Sequence, residues 1–121
     1  MTVKVHTVNN TDIAEIISDG LIIKNIDDGV DVVGNTFSNG CDKAIVHKEN
    51  ITPDFFDLKN KMAGEILQKF STYRIQLVIV GDFADLASKS KSLKDFIYES
   101  NKGRQVNFLS SMSEALERLS N

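Results

Sequence analysis

Cysteine, strong net charge and long apolar runs are scarce or missing in this sequence, and each absence excludes a class of protein. Cys41 is the only cysteine among 121 residues, so no disulfide can form within the chain and a reducing compartment is expected. The net charge of −3 gives no electrostatic reason to expect binding to nucleic acid. No apolar stretch approaches the length that spans a bilayer, and residues 1–6 lack an apolar signal-peptide segment. We therefore expect a cytoplasmic protein with no nucleic-acid or membrane partner.

Alternation of strands and helices is the strongest pattern that the sequence does contain. Residues 74–80 form a short apolar run rich in β-branched residues, which is closed by Gly81 and Asp82 and flanked by amphipathic segments. A run that is apolar on both faces indicates a strand covered on both faces, as in a parallel α/β sheet. With 121 residues, 41% of them apolar and 26% charged, residues 1–121 have the size and composition of one ordinary globular domain.

Turn residues and alternation place the other strands. Residues 3–7 alternate between apolar and polar, and Asn9–Asn10 suits the tight turn of a hairpin whose second strand is residues 12–17. Two more strands are predicted at residues 43–47 and 105–109. The resulting order, ββαβαβαβα, predicts an α/β fold with a five-stranded, mostly parallel sheet, one antiparallel edge strand and helices on both faces.

Helical segments are predicted between these strands and after the last one. The first begins at Asn25, and its apolar face is expected to consist of Ile26, Val30, Val33 and Phe37. The stripe of the second is Met62, Ile66, Leu67, Phe70 and Tyr73. Residues 81–89 are predicted to be a loop, and the spacing typical of capping boxes at Ser92 and Ser111 predicts the starts of the last two helices.

Ligands of open α/β sheets bind beyond the carboxyl ends of the strands, which here selects the loops at residues 47–61, 81–91 and 110–111. The charged candidates in the first two loops are Glu49, Asp54, Asp57, Lys59 and Asp82. Paired carboxylates of this kind suit acid–base chemistry or Mg²⁺ coordination, whereas a solvated loop with Asp54 near a helix N-terminus explains the same residues. Their spacing matches no metal motif, so no metal or cofactor is predicted.

Two adjacent phenylalanines, Phe55 and Phe56, lie in the first of these loops. Two neighbouring side chains in a turn do not easily face one core, so one of them is a candidate for a partner-binding groove or surface. The alternative is that one caps the edge of the sheet while the other packs beneath the following helix. A partner-binding role and a packing role therefore both remain open for this pair.

Serine and lysine side chains are frequent in the second loop, where Ser90 precedes a helix. Residues of these types can hold phosphate at a helix N-terminus, but they serve equally well as caps and solvated side chains. Among the remaining reactive groups, His6 alternates outward on the first strand and is predicted to be solvated. Cys41 and His47 are expected at opposite ends of one strand, with Cys41 as a buried structural residue.

Several stretches between Phe55 and Leu119 resemble a small bacterial family of unknown function, namely FFDLKNKMAGEILQKF, RIQLVIVGDF, SKSLKDFIYESNKGRQVNF and SEALERL. That resemblance implies no activity. More distantly, the order of elements is similar to that of STAS domains, the fold of anti-sigma-factor antagonists. In those domains a phosphorylatable serine opens the helix after the third strand, and Asn60 falls near that position. Asn60 cannot be phosphorylated, so the resemblance implies the fold without the switch.

The leading hypothesis is a non-enzymatic regulatory or protein-interaction module of STAS-like type, with a partner surface on residues 55–61 and the following helix. The first alternative is a small enzyme or small-ligand-binding protein that uses the carboxylates at the strand ends. The second is a homodimer that buries Phe55 and Phe56 in a two-fold interface. The expected partner is accordingly an unidentified protein or a second copy of the chain, and a small-molecule ligand is the alternative.

Overall fold

A computed structural model describes residues 1–121 and contains five strands, five α-helices and three 3₁₀ turns. The strands are β1 (Thr2–Val8), β2 (Thr11–Ile17), β3 (Lys43–His47), β4 (Gln76–Val80) and β5 (Val106–Leu109). The α-helices are α1 (Ile26–Ser38), α2 (Met62–Thr72), α3 (Ala84–Lys89), α4 (Lys91–Lys102) and α5 (Met112–Ser120). The 3₁₀ turns are Lys48–Asn50, Pro53–Phe56 and Leu58–Asn60.

The strands form one sheet in the order β1-β2-β3-β4-β5, in which β1 and β2 are antiparallel and all other neighbours are parallel. A two-residue turn joins β1 to β2, and its residues Asn9 and Asn10 have φ angles of 52° and 62°. Asparagine tolerates this left-handed region better than most residues. The turn fixes a register that places Val5 opposite Ala14. The predicted α/β fold with one antiparallel strand pair is therefore confirmed.

Helices cover both faces of the sheet, but unequally. Because the parallel strands advance in one direction and right-handed crossovers return on the same side, α1, α2 and α4 share one face. The main core on that face includes Ile16, Ile66 and Leu77. Helix α5 follows the last strand and packs on the other face, where a smaller core joins Val78 to Leu119. Strand β4 is thus covered on both faces, as its continuous apolar run predicts.

The two edges of the sheet differ in the hydrogen-bond partners of their outer backbone groups. At the β5 edge, the side-chain amide of Asn101 in α4 donates to the carbonyl O of Phe108 at 3.2 Å and accepts from the backbone N of Phe108 at 2.8 Å. This amide takes the place of a neighbouring strand, because it occupies backbone groups that would otherwise face solvent. At the opposite edge, β1 pairs only with β2.

The buried face of α1 is rotated from the predicted one. Val30 and Phe37 are 39% and 46% exposed, and the exposed ring of Tyr73, which was also expected to face the sheet, packs edge-on against Phe37. The residues of α1 that are buried are Gly29, Val32, Val33 and Thr36. The cause is close packing on α2, since a Cβ added at Gly29 would lie 2.8 Å from Cγ2 of Ile66. The missing side chain at Gly29 lets the two helices approach each other.

The segment after β4 also differs from the prediction. Residues 84–89 form helix α3 instead of a loop. Helix α4 is capped by Ser90 rather than Ser92, and the Oγ of Ser90 accepts a backbone N–H of the first turn at 3.2 Å. The start of α5 is confirmed, because the Oγ of Ser111 accepts from the backbone N of Glu114 at 3.2 Å.

Candidate functional site

A cleft of ≈ 660 Å³ opens at the carboxyl ends of β3 and β4. The turns that follow β3 form one wall, and α3 forms the other. The apolar lining residues are Leu21, Ile51, Pro53, Phe56, Val80 and Leu86. The polar and charged ones are His47, Lys48, Glu49, Asp82 and Asp85. The cleft therefore lies at the end of the sheet where the sequence predicts a ligand.

Lys48 crosses from the end of β3 to the end of β4. Its Nζ donates to the carbonyl O of Asp82 at 2.7 Å and lies 5.8 Å from the ring centre of Phe83. The stem of the lysine passes so close to Gly81 that a Cβ added there would lie 2.5 Å from the Cβ of Lys48. Glycine at position 81 is therefore required for this approach, and it leaves the ammonium group fixed at the wall of the cleft.

A second cleft, of ≈ 620 Å³, adjoins the first and shares Pro53, Phe56 and Leu86 with it. Its other lining residues are Asp57, Leu58, Lys59, Lys89, Ser90 and Ser92. The two clefts together form a furrow between the turns at residues 53–60 and helix α3. We call this furrow the strand-end groove, and its shared apolar floor joins the two clefts.

Charged side chains give the strand-end groove two different ends. The carboxylates of the first cleft are Glu49, Asp82 and Asp85, and the lysines of the second are Lys59 and Lys89. Nζ of Lys89 lies 3.2 Å from a carboxylate O of Asp85, so these two side chains form an ion pair along α3. Lys48 also lines the first cleft, but its ammonium group is bound to the carbonyl O of Asp82. Asp57 also lines the second, and its carboxylate accepts from the backbone N of Lys59 at 3.2 Å, much as that of Asp82 accepts from the backbone N of Ala84 at 3.0 Å. Carboxylates therefore outnumber lysines in the first cleft, which we call the acidic end, and lysines outnumber carboxylates in the second, the basic end.

Most of the site residues proposed from the sequence lie in this groove. Those that line it are Glu49, Phe56, Asp57, Lys59, Asp82 and Ser90. Asp54, Phe55 and Asn60 lie outside both clefts. The carboxyl ends of β3 and β4 thus bring together residues from two loops that are distant in sequence. A binding role for each of these residues stays a prediction.

Phe55 and Phe56 both pack inward. They are 1% and 7% exposed, and their rings meet edge-on with centroids 5.1 Å apart. The ring of Phe56 also packs against that of Phe83, with centroids 5.9 Å apart, and the ring of Phe83 packs against that of Phe108, with centroids 5.3 Å apart. Neighbouring side chains of a 3₁₀ turn diverge by about a third of a turn, and this aromatic cluster accepts both rings. Phe55 is therefore not available as a surface contact, whereas Phe56 also forms part of the groove floor.

Asn60 holds the loop that bounds the groove. Its Nδ2 donates to the carbonyl O of Asp54 at 2.7 Å, and its Oδ1 accepts from the backbone N of Met62 at 2.9 Å, where α2 begins. Lys61, which lies between Asn60 and Met62, has a left-handed φ of 65°. The amide closes the turn and caps α2 through separate donor and acceptor atoms, so the side chain at this position has a structural role.

A hydrogen-bonded cluster of Glu15, His6 and His47 lies beside the groove and was not predicted. Nε2 of His6 is 2.8 Å from Oε1 of Glu15, and Nε2 of His47 is 2.7 Å from Oε2. The Glu15 side chain is 11% exposed, and the two imidazoles are about twice as accessible. The prediction that His6 is solvated is therefore wrong. His47 also lines the first cleft, so the cluster reaches the groove through this residue.

The strand register explains how these side chains meet. In the β1–β2 hairpin, His6 and Glu15 are diagonal neighbours on one face of the sheet. In the parallel β2–β3 pair, Glu15 lies opposite Ile45, so His47 is a diagonal neighbour on the same face. The two-residue turn at Asn9–Asn10 would have predicted the first of these contacts, because it fixes the hairpin register. The second depends on the order of strands in the sheet.

Two opposing effects act on the carboxyl group of Glu15. Burial raises its pKa, but hydrogen bonds from His47 and His6 and attraction to both imidazoles outweigh burial, so the pKa lies below its usual value. Each Nε2 faces its own carboxylate oxygen instead of a common point, and no three acidic, histidine or cysteine side chains are placed to hold a metal ion. The cluster therefore ties three strands together and fixes the ring of His47 at the cleft.

Cys41 lies just before β3, at the opposite end of that strand from His47. Its side chain is buried, and Sγ lies 3.5 Å from the carbonyl O of Asn39. Burial raises the pKa of the thiol, and the charges of Asp12 and Asp42 raise it further. The thiol is therefore neutral at physiological pH and packs as a small apolar group, in agreement with the prediction.

The fold and groove define a small α/β domain with a mixed sheet, and none of its helices combines the length and apolarity needed to cross a membrane. The chain belongs to the family of the DUF4180 domain, a domain of unknown function, whose family model matches residues 8–119. The expected membership of a family of unknown function is thus confirmed, and the match covers nearly the whole chain. Neither a search of curated proteins nor a search of solved structures found a match.

Proposed function

We propose that this protein is a cytoplasmic, non-enzymatic regulatory module that binds a short segment of a partner protein in the strand-end groove. The observation that carries the proposal is that two clefts, of ≈ 660 and ≈ 620 Å³, share an apolar floor of Pro53, Phe56 and Leu86. A small molecule fills one cleft of this size, whereas a floor that continues through two clefts suits an extended chain.

Apolar contact is the main source of affinity in this proposal. Phe56 packs edge-on against Phe55 and at a tilt against Phe83, at centroid distances of 5.1 and 5.9 Å, so its ring has little freedom to lose on binding. Leu86, which is half-buried on α3, completes the floor. A fixed aromatic ring beside a leucine suits an apolar anchor residue of the partner, because little ordering is needed when the anchor docks.

Charge sets the direction of the partner segment. A basic residue on one side of the anchor would face Glu49 and Asp82, and an acidic residue on the other side would face Lys59, since Lys89 is paired with Asp85. The reversed segment would bring like charges together at both ends, and such juxtapositions are unfavourable. The proposed partner therefore presents an apolar residue between one cation and one anion.

A regulatory role of STAS-like type is supported by the element order ββαβαβαβα, to which the structure adds the short helix α3 and three 3₁₀ turns. The side chain of Asn60 supports partner binding without a phosphorylation switch, since its amide closes the turn and caps α2. The lone, buried thiol of Cys41 supports a reducing compartment such as the cytoplasm.

Binding of a small molecule in the first cleft alone is the second candidate function. It is favoured by His47, whose ring is fixed by Glu15 at the wall of that cleft, near Glu49 and Asp82. An imidazole and two carboxylates suit recognition of an amine, and they also suit acid–base chemistry. In this case the second cleft and its lysines would have no part in binding.

Selection from a displayed library of random linear peptides tests the groove. We expect enriched peptides to carry an apolar residue between a basic and an acidic one, and to shift the backbone NMR signals of Phe56, Gly81 and Leu86. Leu86→Lys should weaken their binding at least about tenfold. The matched control is Leu116→Lys, which changes a half-buried leucine of α5 on the opposite face and should leave the affinity unchanged.

Selected peptides that bind Leu86→Lys as tightly as the wild type would contradict the proposal. Native mass spectrometry of protein purified gently from its own host separates the two candidate functions. A retained small molecule, together with a library that enriches no peptide, would favour the second candidate and the first cleft alone.

A further inference from the structure

The cluster of His6, Glu15 and His47 is unusual because two imidazoles share one nearly buried carboxylate. A neutral imidazole that donates through Nε2 must carry its proton on that atom, so its Nδ1 is the nitrogen that gains a proton on acidification. His47 has this arrangement while its ring lines the acidic end of the strand-end groove. A change of charge in the cluster is therefore felt directly at the proposed binding site.

We propose that binding in the strand-end groove is linked to protonation of this cluster, so that acidification weakens the hold of the acidic end on a cation. The inference rests on the proposed function, since it needs the groove to bind a ligand. Histidine side chains exchange their protons between about pH 5 and pH 8. With both imidazoles neutral, the carboxylate of Glu15 is the one charge of the cluster, whereas with both protonated it lies between two imidazolium groups.

The other charged groups near the cluster are lysine, arginine and carboxylate side chains. On the sheet face these are Lys4, which lies opposite Glu15, and Lys43, which lies two residues before Ile45 on β3. The charged groups of the groove next to His47 are Lys48, Glu49, Asp82 and Asp85. Helix α5 turns Ala115 and Leu119 toward the sheet, and its Glu114, Glu117 and Arg118 form no ion pair with the cluster. Lysine, arginine and carboxylate side chains ordinarily do not titrate between pH 5 and pH 8. Protonation of the imidazoles is therefore the change that matters.

Two charged fragments of equal size, benzylammonium and benzoate, are suitable probes, because both keep their charge over this range. Their binding is followed through the backbone NMR signals of Lys48, Gly81 and Asp82 at about pH 7.5 and about pH 5.5. We expect benzylammonium to bind about fivefold more weakly at the lower pH, as one added charge near the ligand predicts, and benzoate to change in the opposite direction.

The control variant is His47→Gln, whose side-chain amide can still donate to Glu15 but does not titrate. In this variant only His6 can still gain a proton, so the change in benzylammonium affinity between the two pH values should be much smaller than in the wild type. His6→Gln removes only the more distant imidazole and should give an intermediate dependence, so it tests the same idea if His47→Gln does not fold.

Equal affinity of the wild-type protein for benzylammonium at both pH values would overturn the inference and leave the groove proposal standing. Full pH dependence in His47→Gln would overturn it as well. If neither fragment shifts the groove signals at either pH, the acidic end holds no charged ligand and the inference is overturned, whereas the groove proposal is decided by the peptide selection.

Discussion

Alanine at position 29 sets two effects on α1 against each other. In the interior of a helix, alanine is favoured over glycine by about 0.5–1 kcal/mol in the free energy of unfolding. The added Cβ, however, would lie 2.8 Å from Cγ2 and 3.1 Å from Cγ1 of Ile66, a fully buried side chain. Overpacking of this kind costs about 1–3 kcal/mol. We therefore expect Gly29→Ala to lower the free energy of unfolding by about 1 kcal/mol net.

Gly34 provides a matched control in the same helix, since an added Cβ there would meet nothing within 4 Å. Gly34→Ala should raise the free energy of unfolding by about 0.5–1 kcal/mol. Urea unfolding followed by circular dichroism measures both differences. In an Ile66→Ala background the clashing atoms are gone, so Gly29→Ala should become stabilising by about 0.5–1 kcal/mol, as at Gly34. If Gly29→Ala stabilises the protein as much as Gly34→Ala, the close packing of α1 on α2 is refuted.

Other substitutions test the cluster, the sheet edge and the groove. Because the folded-state pKa of Glu15 is lowered, its contribution to stability is present above the usual carboxyl range and is lost as pH falls through the folded value. Glu15→Gln should therefore flatten the loss of stability in urea unfolding between about pH 6 and pH 3. Asn101→Ala removes both hydrogen bonds to Phe108 and should lower the free energy of unfolding by about 1–3 kcal/mol, with faster hydrogen exchange at the Phe108 amide. Gly81→Ala should be destabilising by about 1–3 kcal/mol, since its Cβ would lie 2.5 Å from the Cβ of Lys48, and unchanged urea unfolding would show that the lysine moves aside freely.

The order of strands and helices can be predicted because it depends on patterns a few residues long. The apolar run of β4 and the Asn9–Asn10 turn are of this kind. The buried face of α1 cannot be predicted in this way. Gly29 is buried through contact with Ile66 on another helix, whereas the sequence pattern of α1 indicates a different buried face. The periodicity of apolar residues within one helix does not show against which other helix that helix packs.

The candidate site divides in the same way. The location of the site at the carboxyl ends of the strands follows from the fold class. Knowledge of this location is enough to select Glu49 and Asp82 from the sequence. The burial of Phe55 depends on an aromatic cluster assembled from three distant segments, so a local reading could not decide it. The contact of His47 with Glu15 depends on strand order across the sheet, which no short motif encodes.

The amide of Asn101 also limits how copies of this protein can join through their sheets. It occupies the outer backbone groups of Phe108, so another strand cannot pair with β5 at that residue, whereas β1 pairs with β2 alone. Two copies that paired through β1 would use up both open edges, and the result would be a closed pair. A sheet with two open edges can add copies head to tail without end, which is the geometry of a fibre. The carboxamide of Asn101 therefore disfavours continued addition of copies through β5.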